Sequence, residues 1–383
     1  MSRIGFAAVG VGGRLTYLVK DLLESHGEAV ELKALCDNSP EALRLARDKL
    51  AFEGSTTVDA QEAIDAPGVD WVLIGSRNDL HADHCIKAFN AGKHVFCEKP
   101  LATSIDDCIA IQAAHRRAGT RLAMGFVLRY LPLFRELHRE VEAGTLGRII
   151  SMEANETLHP GHGGYIMRNW RRLRRYSGPH VLEKGCHDMD LIQWLLDSLP
   201  ARVAAFGGLD IYVPENRELA MQIATDAGDP DLWTSWKTWE DLDPFTSDKD
   251  IDDNLVAILE FRNGTRVTWH QNACDELRPR GMHICGLKAT ADLDLRKNEL
   301  TVRRIGAKED LDINIDREGR GGHGGTDGLI IDDLVRCMTT GTEPAISAMA
   351  GVTSAITCLA IDEARRTGKI VDLEPYWQRL EEA

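Results

Sequence analysis

Two short stretches of this sequence combine residue types that do proton chemistry. The first, His94-Val-Phe-Cys-Glu-Lys-Pro100, reads as a short apolar strand ending in an acid, a base and a proline. A lysine at the carboxyl end of a parallel strand points into the crevice where such sheets bind ligands. Proline fixes the local backbone and adopts the cis form far more readily than other residues, so a cis Lys99–Pro100 bond is expected. The second stretch, Glu183-Lys184-Gly185-Cys186-His187, opens an apolar helix that continues through Asp188 and Asp190. Residues three and four apart share a helix face, so Glu183 or Lys184 stands beside His187, and Asp190 can orient its ring. A histidine titrates near neutral pH and can take a proton from a hydroxyl. Most isolated lysines are solvated and most isolated histidines pack or cap; the setting makes Lys99 and His187 candidates.

The elements upstream supply that setting. Ile4 to Val9 is an apolar strand, followed at once by Gly10-Val-Gly12-Gly13-Arg14 and a helical spacing of apolar residues from Leu15 to Leu23. Glycines between a strand and a helix let the backbone approach a pyrophosphate at the helix's positive end. Leu15 stands where close helix–strand packing calls for Gly or Ala. A second strand, Glu31 to Cys36, ends at Asp37, at about the 20-residue distance of a ribose-binding acid. Asp37 accepts from a ribose diol and repels a 2′-phosphate, and no basic residue follows it, so NAD is expected rather than NADP. Ser39 and Pro40 start the next helix. Asp70 to Ile74 is a third strand, with Gly75-Ser-Arg-Asn-Asp79 as its loop and a helix from about Leu80 to Ala91. A helix over Ile105–Ala118 and a strand near Leu122–Gly125 complete a doubly wound parallel sheet over residues 1–125.

After Phe126 the pattern changes. Leu131–Ala143 is helical, Arg148–Glu156 a strand, and Leu182–Leu196 a helix preceded by a basic loop. Leu255–Phe261 and Arg266–Gln271 flank Asn263-Gly264, which favours a tight primed hairpin turn. Arg296-Lys297-Asn298 turns a second hairpin between Ala291–Leu295 and Leu300–Ile305. Residues 212–253 read as an acidic, irregular insertion or lid carrying Trp233, Trp236 and Trp239, whose tryptophans can equally just pack it down, and helices near Leu329–Met338 and Gly351–Thr367 follow. Residues 126–383 therefore read as an α+β domain with an open, largely antiparallel sheet.

Composition excludes several classes. At 383 residues two domains are the natural division. A formal charge of −15 speaks against nucleic acid as a partner, because phosphate backbones need a basic surface. No apolar run approaches the roughly 20 residues of a bilayer span, so no membrane is involved. Met-Ser-Arg leads straight into a strand without a signal-peptide layout, and nine scattered cysteines lack a CxxC pair. Both features point to reduced thiols and a cytoplasmic location. Cys186-His187 lacks the ligand spacing of a zinc site, and no metal is expected. The one basic cluster, Arg168-Asn-Trp-Arg171-Arg172-Leu-Arg174-Arg175, either pairs with the many carboxylates or grips an anionic group on a substrate through Arg172 or Arg174.

Taken together, the strand-Gly-x-Gly-Gly motif, Asp37, Ala91-Gly-Lys-His-Val-Phe-Cys-Glu-Lys-Pro-Leu-Ala102, Gly125-Phe126, Arg129-Tyr130 and Pro132 resemble the Gfo/Idh/MocA oxidoreductases. So do Gly144-Thr-Leu-Gly147, Trp170-Arg171, Ser177-Gly178, Glu183-x-Gly-x-His187-x-x-Asp190 and His323-Gly-Gly-Thr-Asp327. The resemblance implies a Rossmann domain followed by an open-faced sheet domain that binds sugars or cyclitols and forms a dimer or tetramer. It implies that Lys99 hydrogen-bonds the reacting oxygen and that His187 is the general acid/base. The usual aspartate four residues before the histidine is Glu183 here, followed by Lys184. This resembles a branch with Lys-x-x-His, in which Lys184 joins the catalytic site. Cofactor contacts are implied for Gly10, Gly12, Gly13, Arg14, Asp37, Asn38, Ser76, Asn78, His81, Glu98, Lys99, Trp170 and Arg171. Substrate contacts are implied for Lys99, Arg129, Lys184, His187 and His323.

The expected activity is NAD-dependent oxidation of a secondary hydroxyl of a sugar, glycoside or cyclitol. An alternative uses the same site for glycoside hydrolysis through transient oxidation, elimination, hydration and re-reduction, with Lys184 as the additional base. A non-enzymatic NAD-binding sensor is a third reading, opposed by the presence of both Lys99 and His187.

Overall fold

The computed structural model describes residues 3–234, 238, 240–277, 280–308, 311–314 and 325–383, with 311–314 described by backbone alone. The chain forms two units, one of residues 1–131, 317–355 and 378–383, the other of residues 132–316 and 356–377.

In the first unit β1 (Ile4–Val9), β2 (Val30–Cys36), β3 (Ser55–Thr57), β4 (Trp71–Ile74), β5 (His94–Cys97) and β6 (Leu122–Met124) form one sheet in the order β3-β2-β1-β4-β5-β6. Every pair is parallel. Phe6 to Val9 and Trp71 to Ile74 are buried without alternation, the pattern of strands covered on both faces. Strand order reverses between β1 and β4, which opens a crevice at their carboxyl ends. This is the doubly wound sheet expected. Ser39 caps the helix Pro40–Leu50 by accepting from the Ala42 N–H at 3.3 Å, with Pro40 at its first position. The three-residue β3 and the five-residue helix Ala60–Ile64 are too short to show a period and were not expected.

The second unit holds β7 (Ile149–Thr157), β8 (Pro200–Gly208), β9 (Asn254–Phe261), β10 (Arg266–Asn272), β11 (Arg280–Gly286), β12 (Ala289–Asp294), β13 (Glu299–Arg304), β14 (Leu311–Asn314) and β15 (Val371–Asp372). Their order is β14-β13-β12-β11-β7-β10-β9-β8-β15, and β7 with β10 is the parallel pair in an otherwise antiparallel sheet. Leu255, Ala257, Leu259 and Phe261 of β9 are buried, while Val256 and Ile258 on the opposite face are exposed, as is Phe206 of β8. The sheet is therefore open on one side.

Three expectations are corrected. The Asn263-Gly264 hairpin forms, but only Gly264 takes a positive φ, +83°, and the Phe261 N–H donates to the Thr265 carbonyl. Both primed turn types need a positive φ at the first central residue, here Asn263, which does not have one, so this is a longer loop closed by a glycine bulge. The helix expected over Leu182–Leu196 is two helices, His180–Glu183 and Cys186–Leu196, broken at Lys184-Gly185. A Cβ on Gly185 would stand 2.6 Å from the Trp269 ring and 2.7 Å from the Val181 carbonyl, so the chain passes this point only as glycine. The 212–253 segment is not irregular throughout: Arg217–Ala227 is helical, and Trp233 packs with Tyr212 and Phe245 in a small core of its own. Its Nε1 donates to the Ala220 carbonyl at 2.9 Å. Trp236 and Trp239 lie outside the described residues.

Helix Cys186–Leu196 is fastened to the sheet by charge. Arg280 of β11 donates to Asp188 through Nε at 2.8 Å and Nη2 at 3.1 Å, and its Nη2 lies 2.7 Å from Glu156 of β7. All three are buried. Burial pushes the Asp188 carboxyl up, and Arg280 opposes it. Removing one partner of such a buried set leaves uncompensated charge, a loss of about 3–5 kcal/mol. Arg280→Met is therefore expected to lower stability in urea by about that amount near pH 7. The two stranded carboxyls would then have folded-state pKa values above their unfolded ones. Stability from such groups is present at low pH and lost as pH rises, so the deficit grows from about pH 4 upward. A small, pH-independent deficit would show that the guanidinium is not what neutralises this pair.

Candidate functional site

The first unit presents a cradle at the end of β1. Gly10 has φ +81°, and a Cβ there would stand 2.1 Å from the Ser76 nitrogen. Around Gly12 and Gly13 the space that a Cβ would fill is open. Gly12 caps the helix Gly13–His26 with no side-chain hydrogen bond, so the first N–H groups of that helix face the open space. These are the conditions for binding a phosphate by backbone and helix dipole. Leu15, the apparent misfit in the motif, is buried against Gly75. A Cβ on Gly75 would lie 2.6 Å from that of Leu15, so the small residue that close packing requires sits on the facing loop.

At the end of β2, Asp37 Oδ1 accepts from the Ser39 N–H at 2.9 Å. Burial raises its carboxyl, against hydrogen bonds from the Ser39 and Val11 backbones. Asn38 beside it is exposed. Open cradle and acidic strand end together fit a dinucleotide with a free ribose diol. Arg14 is not available for a 2′-phosphate. Its Nη1 and Nη2 each donate to Asp327 at 2.8 Å, and its Nε donates to Glu98 at 3.1 Å.

Lys99 is anchored on both sides. Glu98 Oε2 accepts from the Lys99 N–H at 3.3 Å. On the other side the Lys99–Pro100 bond is cis, as expected. The Pro100 carbonyl lies 2.7 Å from His81 Nδ1, and His81 Nε2 lies 3.0 Å from the Ser76 carbonyl. His81 is thus a buried tie between two loops. Ser76 Oγ lies 3.0 Å from His84 Nδ1, and burial pushes the His84 ring down to about 4, keeping it neutral. Asn78 is buried and Arg129 is half-buried in the turn Val127–Tyr130.

In the second unit the break before helix Cys186–Leu196 gathers a polar cluster. His187 is half-buried in the first turn of that helix. Lys184, on the break, brings Nζ to 2.7 Å from His162 Nε2. Glu183 is buried and accepts from Arg171 Nε at 2.8 Å. Arg171 lies 4.3 Å above the Trp170 ring and donates to the Tyr165 hydroxyl at 3.1 Å. The rest of the basic loop is engaged in its own unit. Arg172 is buried and donates to Glu240 and Asp248, while Arg174 pairs with Asp362 of helix Ala348–Thr367. These two form the ion pairs of the first reading of the cluster. His323 lies outside the described residues.

Sequence reasoning missed His162 and Tyr165. They lie on helix Pro160–Met167, whose run Gly-His-Gly-Gly shows no apolar period. Pro160 at its first position, after His159 as cap, was the available signal. Among the described residues no group of three or more His, Cys, Asp or Glu side chains is arranged to hold a metal, and no helix is long and apolar enough to cross a membrane.

Comparison with known proteins matches both units. Residues 4–126 fit the Gfo/Idh/MocA model described as an oxidoreductase family with an NAD-binding Rossmann fold, and residues 138–373 fit its C-terminal α/β domain. The chain is 28% identical over 209 residues to 2,7-anhydro-N-acetylneuraminate hydratase of Escherichia coli K12, covering 54% of this chain and 53% of the relative. It is 30% identical over 205 residues to inositol 2-dehydrogenase of Salmonella typhimurium, covering 53% and 55%. The alignments thus span about half the length of each of these relatives. A crystallised levoglucosan dehydrogenase, complexed with NADH and levoglucosan, shares the fold with TM-score 0.77 at 20% identity, over 97% of this chain and all of that one.

The cofactor half yields a direct test. A hydrogen bond to a charged group contributes about 1.5–3 kcal/mol, which is about 10- to 100-fold in affinity. Asp37→Ser is expected to weaken NAD by that factor while leaving NADP unweakened, as read from the ratio of the two KM values. An unchanged ratio would place the ribose elsewhere.

Proposed function

The chain belongs to the Gfo/Idh/MocA family of oxidoreductases, and we propose that it oxidises a secondary hydroxyl of a sugar, glycoside or cyclitol with NAD. The observation that carries this reading is Lys99, held at the end of β5 by Glu98 on one side and by the His81-bound Pro100 carbonyl on the other. Gly10, Gly12, Gly13 and Asp37 would hold the dinucleotide, with Ser76, Asn78, Trp170 and Arg171 as further contacts. NAD, when bound, supplies the hydride acceptor. The protein's own residues handle the proton and the charge. His187 takes the hydroxyl proton on a ring nitrogen, and the Lys99 ammonium donates to the oxygen as negative charge develops there. Arg129 lines the substrate. The exposed Phe206, Val256 and Ile258 support assembly into a homo-oligomer through the open sheet face.

A second reading is supported by Lys184 beside His162 and by the hydratase relative. In it the oxidation is reversed by the end of the cycle, and the net reaction removes a glycosidic or anhydro substituent with water. That sequence needs an additional acid–base group, which Lys184 provides as a member of a Lys-x-x-His branch.

One assay separates the two. Purified protein is incubated with a panel of neutral and anionic glycosides and cyclitols, following the NADH absorbance and the released aglycone together. NADH rising in step with substrate loss is the expected result. Aglycone release that requires NAD without net NADH moves the assignment to the second reading. Lys99→Ala and His187→Ala are each expected to lower kcat by about 10²- to 10⁴-fold; full activity in either variant would remove that residue from the mechanism.

A further inference from the structure

Lys184 Nζ and His162 Nε2 stand 2.7 Å apart, and both side chains are half-buried. Two basic groups gain nothing from each other by charge, so the framework must bring them together. It does so at both ends. The helix carrying His162 is pressed against its neighbours: a Cβ on Gly163 would lie 2.1 Å from the Ala273 carbonyl, and one on Gly164 would lie 1.9 Å from the Trp233 carbonyl. Lys184 sits on the helix break next to Gly185, whose side-chain space is filled by the Trp269 ring. At this distance a single proton lies between the two nitrogens, because two protonated cations cannot share one hydrogen bond.

Several titratable groups on the elements packed here have other partners of their own. Tyr165, whose ring is 6.3 Å from that of His162, accepts from Arg171, which Glu183 neutralises. Tyr212 donates to the Pro160 carbonyl and is raised by burial. Burial raises the Cys274 thiol to about 11. His159, at the helix start, lies 3.2 Å from Glu276.

We propose that His162 is a positioning residue that fixes Lys184 as a proton donor, and that the pair forms an acid–base group separate from His187. The Lys184 ammonium donates one N–H to His162 Nε2, which leaves the ring's own proton on Nδ1. Another N–H faces the substrate. With the sugar transiently oxidised, the site's other acid–base group takes the proton of the C–H beside the ketone. That C–H pair becomes a C=C bond, and the carbon–oxygen pair leaves with the oxygen, which takes a proton from Nζ. Water's oxygen then bonds to the vacated carbon, its proton goes to the neutral amine and restores the ammonium, and the first proton returns to the neighbouring carbon. The inference rests on the second reading above.

The test uses the full chain without substrate. Nitrogen NMR of the 13 labelled histidines, with His162 assigned from His162→Gln, reads the tautomer. The wild-type ring is expected to carry its proton on Nδ1, and Lys184→Met to relax it toward the Nε2–H form. An Nε2–H signal in the wild type, or no change in Lys184→Met, would overturn the pairing. Turnover supplies the second arm. His162→Phe is expected to lower kcat at least tenfold, and His162→Gln, which still offers Lys184 an acceptor, to restore most of it. A fully active His162→Phe would also overturn the proposal. If the glycoside panel gave only net oxidation, the second reading would fail while the tautomer result stood, so the two failures are distinct.

Discussion

The cofactor half of this molecule depends on one guanidinium. Arg14, the last residue of the glycine motif, answers two carboxylates that are almost wholly buried, Asp327 and Glu98. Buried carboxylates without a partner cost several kcal/mol each, so the glycine loop, the end of β5 and the start of helix Thr326–Thr340 are held in register by one another. Two consequences follow from the same bonds. The positive charge beside the cradle is already neutralised, which removes the group that would otherwise welcome a 2′-phosphate. Glu98, fixed through one oxygen, offers the other to the Lys99 backbone, so the lysine's placement is tied to the loop that holds the cofactor.

The second unit uses the same device with different partners. Arg280 ties helix Cys186–Leu196 to β7 and β11, Arg174 ties the basic loop to Asp362, and Arg171 is gripped by Glu183. Asp362 illustrates how far this goes. Burial alone would raise its carboxyl, yet Arg174, Arg365 and Arg366 hold it below the usual range. In an acidic chain, arginines near a reactive helix are absorbed by carboxylates. Arg171 is paired in this way with Glu183 and also lies over the Trp170 ring.

How much of this could be read from the chain depended on the range of the interaction. The parallel sheet, the cradle, Asp37 and the cis bond at Pro100 follow from local residue types and were legible. The Asn298 hairpin was legible too, because a single residue at φ +59° turns it. What failed was set by distant partners. The basic loop reads as one cluster, and nothing in its spacing distinguishes Arg172, buried under Asp248, from Arg171, stacked on Trp170. Leu15 reads as a defect in the motif because its compensating glycine lies 60 residues later, at Gly75. His162 gave no signal because its helix is held by contact with Tyr212, Ala273 and Trp233 rather than by its own period.

The helix break at Lys184-Gly185 is where that long-range control bears most on chemistry. Net oxidation moves one proton off a hydroxyl and needs one acid–base group. Redox-neutral removal of a substituent needs a second, because a proton must also reach the departing oxygen. In a continuous helix Lys184 and His187 would share a face one turn apart, and two basic groups so placed would compete for the same proton. At the break between helices His180–Glu183 and Cys186–Leu196, Lys184 Nζ lies 2.7 Å from His162 Nε2, while the Trp269 ring fills the space that a side chain at position 185 would need. Glycine at 185 is therefore the residue that lets β10 pack against the segment carrying Lys184.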